Sequence, residues 1–398
     1  MKQRGKVRWA ALVVAGMMIF SAGRVHADGI AEAWITEEVV PTAAAAQEIP
    51  AKSAVLMDAG SGQLLFEKNA HQPMPPASIT KIMTLLLVME AIEDGQLRWE
   101  GTVVCSDHAA SMGGSQIWLE PGETMTVEEL FKAAAVKSAN DASMVLAEQV
   151  SGSESAFVKQ MNARAKALGM KDTVFKNPTG LDAEGHVSTA YDIALMSREL
   201  LKHPAVTRYT TIWMDSLRDG KTSLVNTNKL VRFYDGTTGL KTGSTNAAGY
   251  CISATAERDG MELIAVILKG KTSAERFQDA QALLNYGFSA YTLKTVVPEA
   301  PLPPVPVQLG TQATVQPVLG DGGRLLLEKA KAGALSQSVE LAESVQAPVA
   351  QGDRLGTLTV SSGEEILAEL PLLAGEEVPR ISFRQMLGRM LKIACLAG

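Results

Sequence analysis

Two strand pairs, far apart in the chain and separated by helical sequence, set the strongest limit on the fold. "KSAVLMDAGSGQLLFEKN" (52–69) places strand-forming residues on both sides of "DAGSG", a hairpin signal. "AAGYCISATAERDGMELIAVILKG" (247–270) reads as two longer strands joined at an Asp-Gly turn. Between them lie helix candidates: "SITKIMTLLLVMEAIEDG", stopped by Gly95; "TVEELFKAAAVKSANDASMVLAEQV", with Thr126 and Glu129 spaced as a capping box; "SESAFVKQMNARAKALGM"; and "TAYDIALMSRELLKH". The helix "SAERFQDAQALLNYGF" follows the second pair. Hairpins at both ends bury best in one sheet, so the expected fold is α+β: an antiparallel sheet made from both ends of a domain spanning 49–292, with a mostly helical insertion.

The flanks read differently. Lys2, Arg4, Lys6 and Arg8 precede the apolar run "WAALVVAGMMIF", and "VHA" at 25–27 fits a small-x-small cleavage site, so 1–27 is expected to be an export signal and 28–48 a loose lead-in. Residues 1–27 carry five basic and no acidic side chains, which leaves the remainder at about −11 from a whole-chain −6. Such an acidic protein is a poor nucleic-acid binder, and export removes it from ATP and nicotinamide cofactors. Cys105, Cys251 and Cys395 lack the close pairing of a zinc site or disulfide framework; the first two are expected to be buried small hydrophobes. "PEAPLPPVPVQ" marks a Pro-rich connector (293–308), followed by a small all-β domain (309–378) with no reaction centre. In the terminal segment (381–398), Phe383, Leu387, Met390, Leu391 and Ala394 share one helical face, and Arg384, Gln385, Arg389 and Lys392 share the other. It is too short to span a bilayer but suits an anionic membrane surface.

Chemistry concentrates in three short motifs. Ser78 and Lys81 form Ser-x-x-Lys at the start of an apolar helix, where free N–H groups favour a developing oxyanion. A lysine one turn away can take the hydroxyl proton if burial and nearby positive charge depress its pKa. Ser138 and Asn140 form Ser-x-Asn, suited to passing a proton and orienting a substrate amide. Lys241, Thr242 and Gly243 form Lys-Thr-Gly before the late strand pair: a cation and a hydroxyl for a substrate carboxylate, and a glycine that lets the strand approach a ligand. The Ser244 N–H can share the oxyanion hole with that of Ser78. A carboxylate clamp beside an acyl-transfer serine implies a peptide cut at its C-terminus.

The three motifs in this order, with "GGSQIWLEPGE", "FKNPTGLDAEGHVSTAYDIALMSREL" and "YDGTTGLKTGST", closely resemble the low-molecular-mass penicillin-binding proteins that are serine-type D-Ala-D-Ala carboxypeptidases (peptidase S11), most of all those of spore-forming Gram-positive bacteria. The resemblance implies a penicillin-binding, β-lactamase-like transpeptidase fold with no cofactor or metal. It implies Ser78 as the acyl-enzyme serine, Lys81 as proton acceptor, Ser138 and Asn140 as the second motif, and Lys241, Thr242, Ser244 and Arg276 on the carboxylate and oxyanion side. The substrate would be the peptidoglycan stem peptide, and the role regulation of cell-wall cross-linking at the outer face of the membrane, with β-lactams acylating the same serine.

Other readings stay open at this level. A β-lactamase needs a glutamate for deacylation, and the surroundings of Glu154 and Glu184 do not match such a motif. A D,D-endopeptidase would share every motif. A non-catalytic wall-binding scaffold conflicts with the intact Ser78, Lys81, Ser138 and Lys241. His186 in "EGHVSTAYD" lacks the G-x-S-x-G elbow of a Ser-His-Asp enzyme and is expected to serve its loop.

Overall fold

The computed structural model describes residues 49–333 and 335–396, so the expected export signal and lead-in lie outside the described residues. Five antiparallel strands form the central sheet: β1 (Ser53–Asp58), β2 (Leu64–Lys68) and, far along the chain, three strands that follow the helical insertion. That insertion contains α1 (Lys81–Glu93), α2 (Val127–Lys132), α3 (Asn140–Ser151), α4 (Glu154–Ala167), α5 (Ala190–Leu201) and a small hairpin of β3 (Met214–Leu217) and β4 (Thr222–Val225). The sheet resumes with β5 (Thr237–Thr245), β6 (Gly249–Arg258) and β7 (Met261–Gly270), and α6 (Ser273–Ala290) closes the domain. Its order is β2-β1-β7-β6-β5, so the two sequence-distant hairpins meet where β1 pairs with β7.

Alternation along the strands divides two cores. Val55, Met57, Ile264, Val266 and Leu268 face the helical insertion, whereas Ala54, Leu56, Leu263, Ala265 and Ile267 face α6. Each fully buried aliphatic side chain contributes about 1.5–3 kcal/mol, and a one-residue slip of β1 would exchange its two faces. The turn between β6 and β7 has Asp259 and Gly260 at φ +52° and +74°, the left-handed pair that an Asp-Gly hairpin turn requires.

The capping box is present, Thr126 with Glu129, but the helix it starts is not continuous. Residues Ala133–Lys137 wind as a π-helix, Ser138 turns left-handed at φ +64°, and α3 begins afresh at Asn140. Hydrophobic periodicity does not register this break, because the apolar residues on both sides remain in one core.

Beyond α6, β8 (Tyr291–Thr295) pairs with Arg324–Glu328 of the β-rich region. Val305–Gln308, inside the expected connector, is itself a strand, pairing with Thr314–Val315 and Val345–Gln346 and burying Val305. A four-stranded sheet of Pro317–Leu319, Glu365–Ala374, Arg354–Ser362 and Ser336–Leu341 completes this region. The terminal helix α7 runs Phe383–Leu396. No helix among the described residues is long and apolar enough to cross a membrane.

Candidate active site

Ser78 sits in a 3₁₀ turn, Ala77–Thr80, that leads directly into α1. This differs from the regular helix start expected, and Ala77 adopts φ +48° to make the turn. Two glycines allow the turn to be surrounded. A Cβ on Gly243 would lie 2.9 Å from the Ser78 N and 3.0 Å from the Pro76 O. One on Gly180, at φ +82°, would fall 1.9 Å from the Ala77 O. Gly243 therefore serves close approach to the serine turn itself, a demand within the protein rather than only toward a ligand.

Lys81 is fully buried one turn after Ser78. Its Nζ lies 3.1 Å from Ser78 Oγ, 2.6 Å from Asn140 Oδ1 and 2.6 Å from the Thr179 carbonyl. Burial, and then the charge of Lys241, hold its pKa well below the usual lysine value, with Asp141 opposing. A neutral amine has two N–H groups and one lone pair. Asn140 Oδ1 and Thr179 O take the two protons, which turns the lone pair toward Ser78 Oγ.

The second motif occupies the helix break. Ser138 is buried, with left-handed backbone. The Asn140 side chain is fixed at both ends, accepting from Lys81 and donating through Nδ2 to the Gly113 carbonyl at 2.6 Å, while its backbone N–H donates to the Ser115 carbonyl. Asp141 is buried and accepts N–H groups of Ile117, Leu119 and Ala142, pinning the loop that supplies Gly113 and Ser115.

Lys241, Thr242, Gly243 and Ser244 lie on β5, the sheet edge that packs against the serine turn. Lys241 is buried and donates to the Thr242 carbonyl at 2.9 Å; burial, followed by the charge of Arg276, pulls its pKa to about 7. Thr242 Oγ1 donates to Thr227 Oγ1, and Ser244 is exposed. Arg276, 8% exposed, donates to the Gly243 and Cys251 carbonyls at 3.2 and 3.3 Å and braces β5. Its Nε is buried without a hydrogen-bond partner in the described structure.

The structure thus gathers Lys81, Asn140 and the β5 motif around the serine turn that carries Ser78. His186 serves its loop, as expected, but sequence reasoning missed that the loop Lys176–His186 docks on the serine helix. It binds the serine helix at successive positions: His186 Nε2 to Thr80 Oγ1 (2.8 Å), Thr179 O to Lys81, and Pro178 O to Thr84 Oγ1 (2.6 Å). The His186 Nδ1 accepts from the Lys176 N–H, so Nε2 carries the proton toward Thr80. The turn is held by the Asn177 side chain, which accepts from Thr179 and Gly180; "NPTG" was the available signal. Glu154 pairs with His108 on the surface. Cys105 and Cys251 are buried free thiols, and the Cys395 side chain lies outside the described residues.

Comparisons with known proteins give the family and the fold. A family model described as D-alanyl-D-alanine carboxypeptidase matches residues 40–272, and one described as the C-terminal domain of penicillin-binding protein 5 matches 292–380. The chain is 43% identical to D-alanyl-D-alanine carboxypeptidase DacF of Bacillus subtilis, over 86% of this chain and 89% of the relative. It is 33% identical to DacC of Escherichia coli over 86% and 89%. Among solved structures it resembles penicillin-binding protein 5 of Haemophilus influenzae (TM-score 0.74, 28% identity, 87% of this chain and 100% of that one). It also resembles penicillin-binding protein D2 of Listeria monocytogenes in its ampicillin-bound form (TM-score 0.54, 35% identity, 62% and 100%).

Proposed function

The chain belongs to the D-alanyl-D-alanine carboxypeptidase family and is a serine-type enzyme of that activity, and from this premise we propose that Ser78 is the residue acylated by a peptidoglycan stem peptide ending in D-Ala-D-Ala. The observation that carries the assignment is the Lys81 environment: an amine with two carbonyl acceptors and Ser78 Oγ as its third neighbour.

Ser78 Oγ attacks the scissile carbonyl as Lys81 Nζ takes its proton. The backbone N–H groups of Ser78 and Ser244 receive the oxyanion. The proton passes through the Ser138 hydroxyl to the leaving nitrogen, the C–N bond breaks, and free D-alanine departs. Water then attacks the ester, Lys81 accepts its proton, and Ser78 is restored. Asn140 holds the amide on the acyl side. Lys241 and Thr242 take the terminal carboxylate, and the unpartnered Nε of Arg276 adds a donor beside β5. β-Lactams acylate Ser78 by the same route, as a relative crystallised with ampicillin suggests.

Export places this reaction outside the cytoplasm, and α7 rests on an anionic membrane surface with Phe383, Leu387 and Met390 toward lipid. The test is intact-mass spectrometry with penicillin on wild type and Ser78→Ala. A single slowly lost adduct, absent from the variant, is expected, followed by D-alanine release from a stem peptide. An adduct that survives Ser78→Ala overturns the assignment, and rapid drug turnover moves it to a β-lactamase.

A further inference from the structure

Trp118 has the largest apolar side chain left outside on the catalytic domain, 75% exposed, and its backbone is left-handed at φ +58°. A bulky residue rarely adopts that conformation unless its surroundings impose it. Here both sides are fixed. The N–H groups of Ile117 and Leu119 donate to the buried Asp141 carboxylate, and both of these side chains are buried. From the opposite direction Arg218, at the tip of the β3–β4 hairpin and paired with Glu123, donates to the carbonyls of Ile117 and Trp118. Holding residues 117 and 119 inward leaves 118 directed outward, so the exposure of the indole is built rather than incidental.

The loop that carries it is part of the active site. Its Gly113 and Ser115 carbonyls hold Asn140, and Trp118 is only three positions beyond Ser115, at most about 10 Å of chain. Leu181 of the opposite loop comes within 3.7 Å of where a Gly114 Cβ would stand, so the two rims approach each other here. In the reading above, Asn140 holds the amide on the acyl side and Lys241 with Thr242 holds the carboxylate on the other. On that reading the rest of the stem peptide leaves on the Asn140 side, where the Gly113–Leu119 loop holds Asn140.

We propose that Trp118 is a specificity-determining residue that packs against the stem peptide about three residues upstream of the scissile bond, selecting long peptidoglycan peptides over short D-Ala-D-Ala compounds. The inference rests on the carboxypeptidase reading. An indole face presents a large rigid area to an aliphatic peptide stem at little entropic cost, and contacts remote from the reacting centre raise kcat/KM for the substrates that reach them.

The experiment measures D-alanine release by the full mature chain from a stem pentapeptide and from N-acetyl-D-Ala-D-Ala, for wild type, Trp118→Gly, Trp118→Asn and Trp118→Phe. Gly and Asn accept a positive φ, so loss of the indole is separated from backbone strain. The ratio of kcat/KM for the pentapeptide to that for the dipeptide should fall about tenfold in Trp118→Gly and Trp118→Asn and stay within about threefold in Trp118→Phe. An unmoved ratio in Trp118→Gly, or an equal fall in Trp118→Phe, removes the role of Trp118 while leaving the enzyme assignment intact. A folded wild type that releases D-alanine from neither peptide removes that assignment, and this inference with it.

Discussion

Two charges act on Lys81 in opposite directions, and their removal separates them. Lys241 lowers the Lys81 pKa after burial has done so, while Asp141 raises it. Acylation needs neutral Lys81, so its rate climbs with pH through that pKa. Lys241→Met should move the acidic limb of penicillin acylation to higher pH, and Asp141→Asn should move it lower, both read from stopped-flow rates across pH. Asp141→Asn also leaves one acceptor oxygen where a carboxylate had held three N–H groups, which should cost about 2 kcal/mol in denaturant unfolding. Lys241 itself titrates at about 7 and must be charged to hold a carboxylate. The kcat/KM for stem peptide should therefore decline above about 7 in wild type, and Lys241→Arg should abolish that decline while keeping the charge beside Lys81.

At the scale of elements, the serine helix is held from outside by the loop Lys176–His186, and the loop depends on a neutral histidine. Its imidazole accepts from the Lys176 N–H and donates to Thr80, and a second ring proton would face that N–H. Burial first, then the Lys176 charge, pulls the His186 pKa from 6.5 to about 4, with Asp182 opposing. The unfolded chain thus takes the proton more readily than the folded one. The stability His186 contributes is complete above about 6.5 and is lost as pH falls toward about 4, a change of about 3 kcal/mol. His186→Asn, which keeps a donor and an acceptor without titrating, should flatten that part of a Tm-against-pH curve. Gly180→Ala should cost at least about 2 kcal/mol and slow acylation, because its Cβ meets the Ala77 backbone at a positive φ. The two hairpins, most helices and the residues of the three motifs were legible in the sequence, since periodicity, caps and fixed spacing record them locally, whereas the edge strand Thr237–Thr245 and the hairpin within 214–225 went unread. The docking of the loop on the serine helix was not legible, because its contacts come from about 100 residues away, and those to Lys81 and Thr84 use carbonyls, which carry no side-chain signature. The break at Ser138 was hidden for a related reason: an apolar pattern reports which side faces the core, not whether the winding between two turns is regular.

For the molecule as a whole, the apolar side chains of α7 that are described, Phe383, Met386, Leu387 and Met390, are exposed. Phe383 is 77% exposed and Met390 63%, while the catalytic and β-rich regions each bury their own clusters. Burying a large apolar side chain completely contributes about 1.5–3 kcal/mol, and a basic residue near an anionic surface about 1 kcal/mol. If α7 meets the membrane as proposed, Phe383, Leu387 and Met390, with Arg384, Arg389 and Lys392 in the same segment, supply enough for reversible adsorption to anionic lipid even though the protein as a whole is acidic. The full mature chain should co-sediment with vesicles containing phosphatidylglycerol and much less with phosphatidylcholine alone. Raising salt should weaken the first without abolishing it, since screening removes the charge contribution and leaves the apolar one. Phe383→Ser combined with Met390→Ser should release the protein from both vesicle types while leaving penicillin acylation of Ser78 unaltered, because neither residue belongs to the cleft. Equal sedimentation of this double variant and the wild type would instead locate the membrane contact elsewhere on the chain.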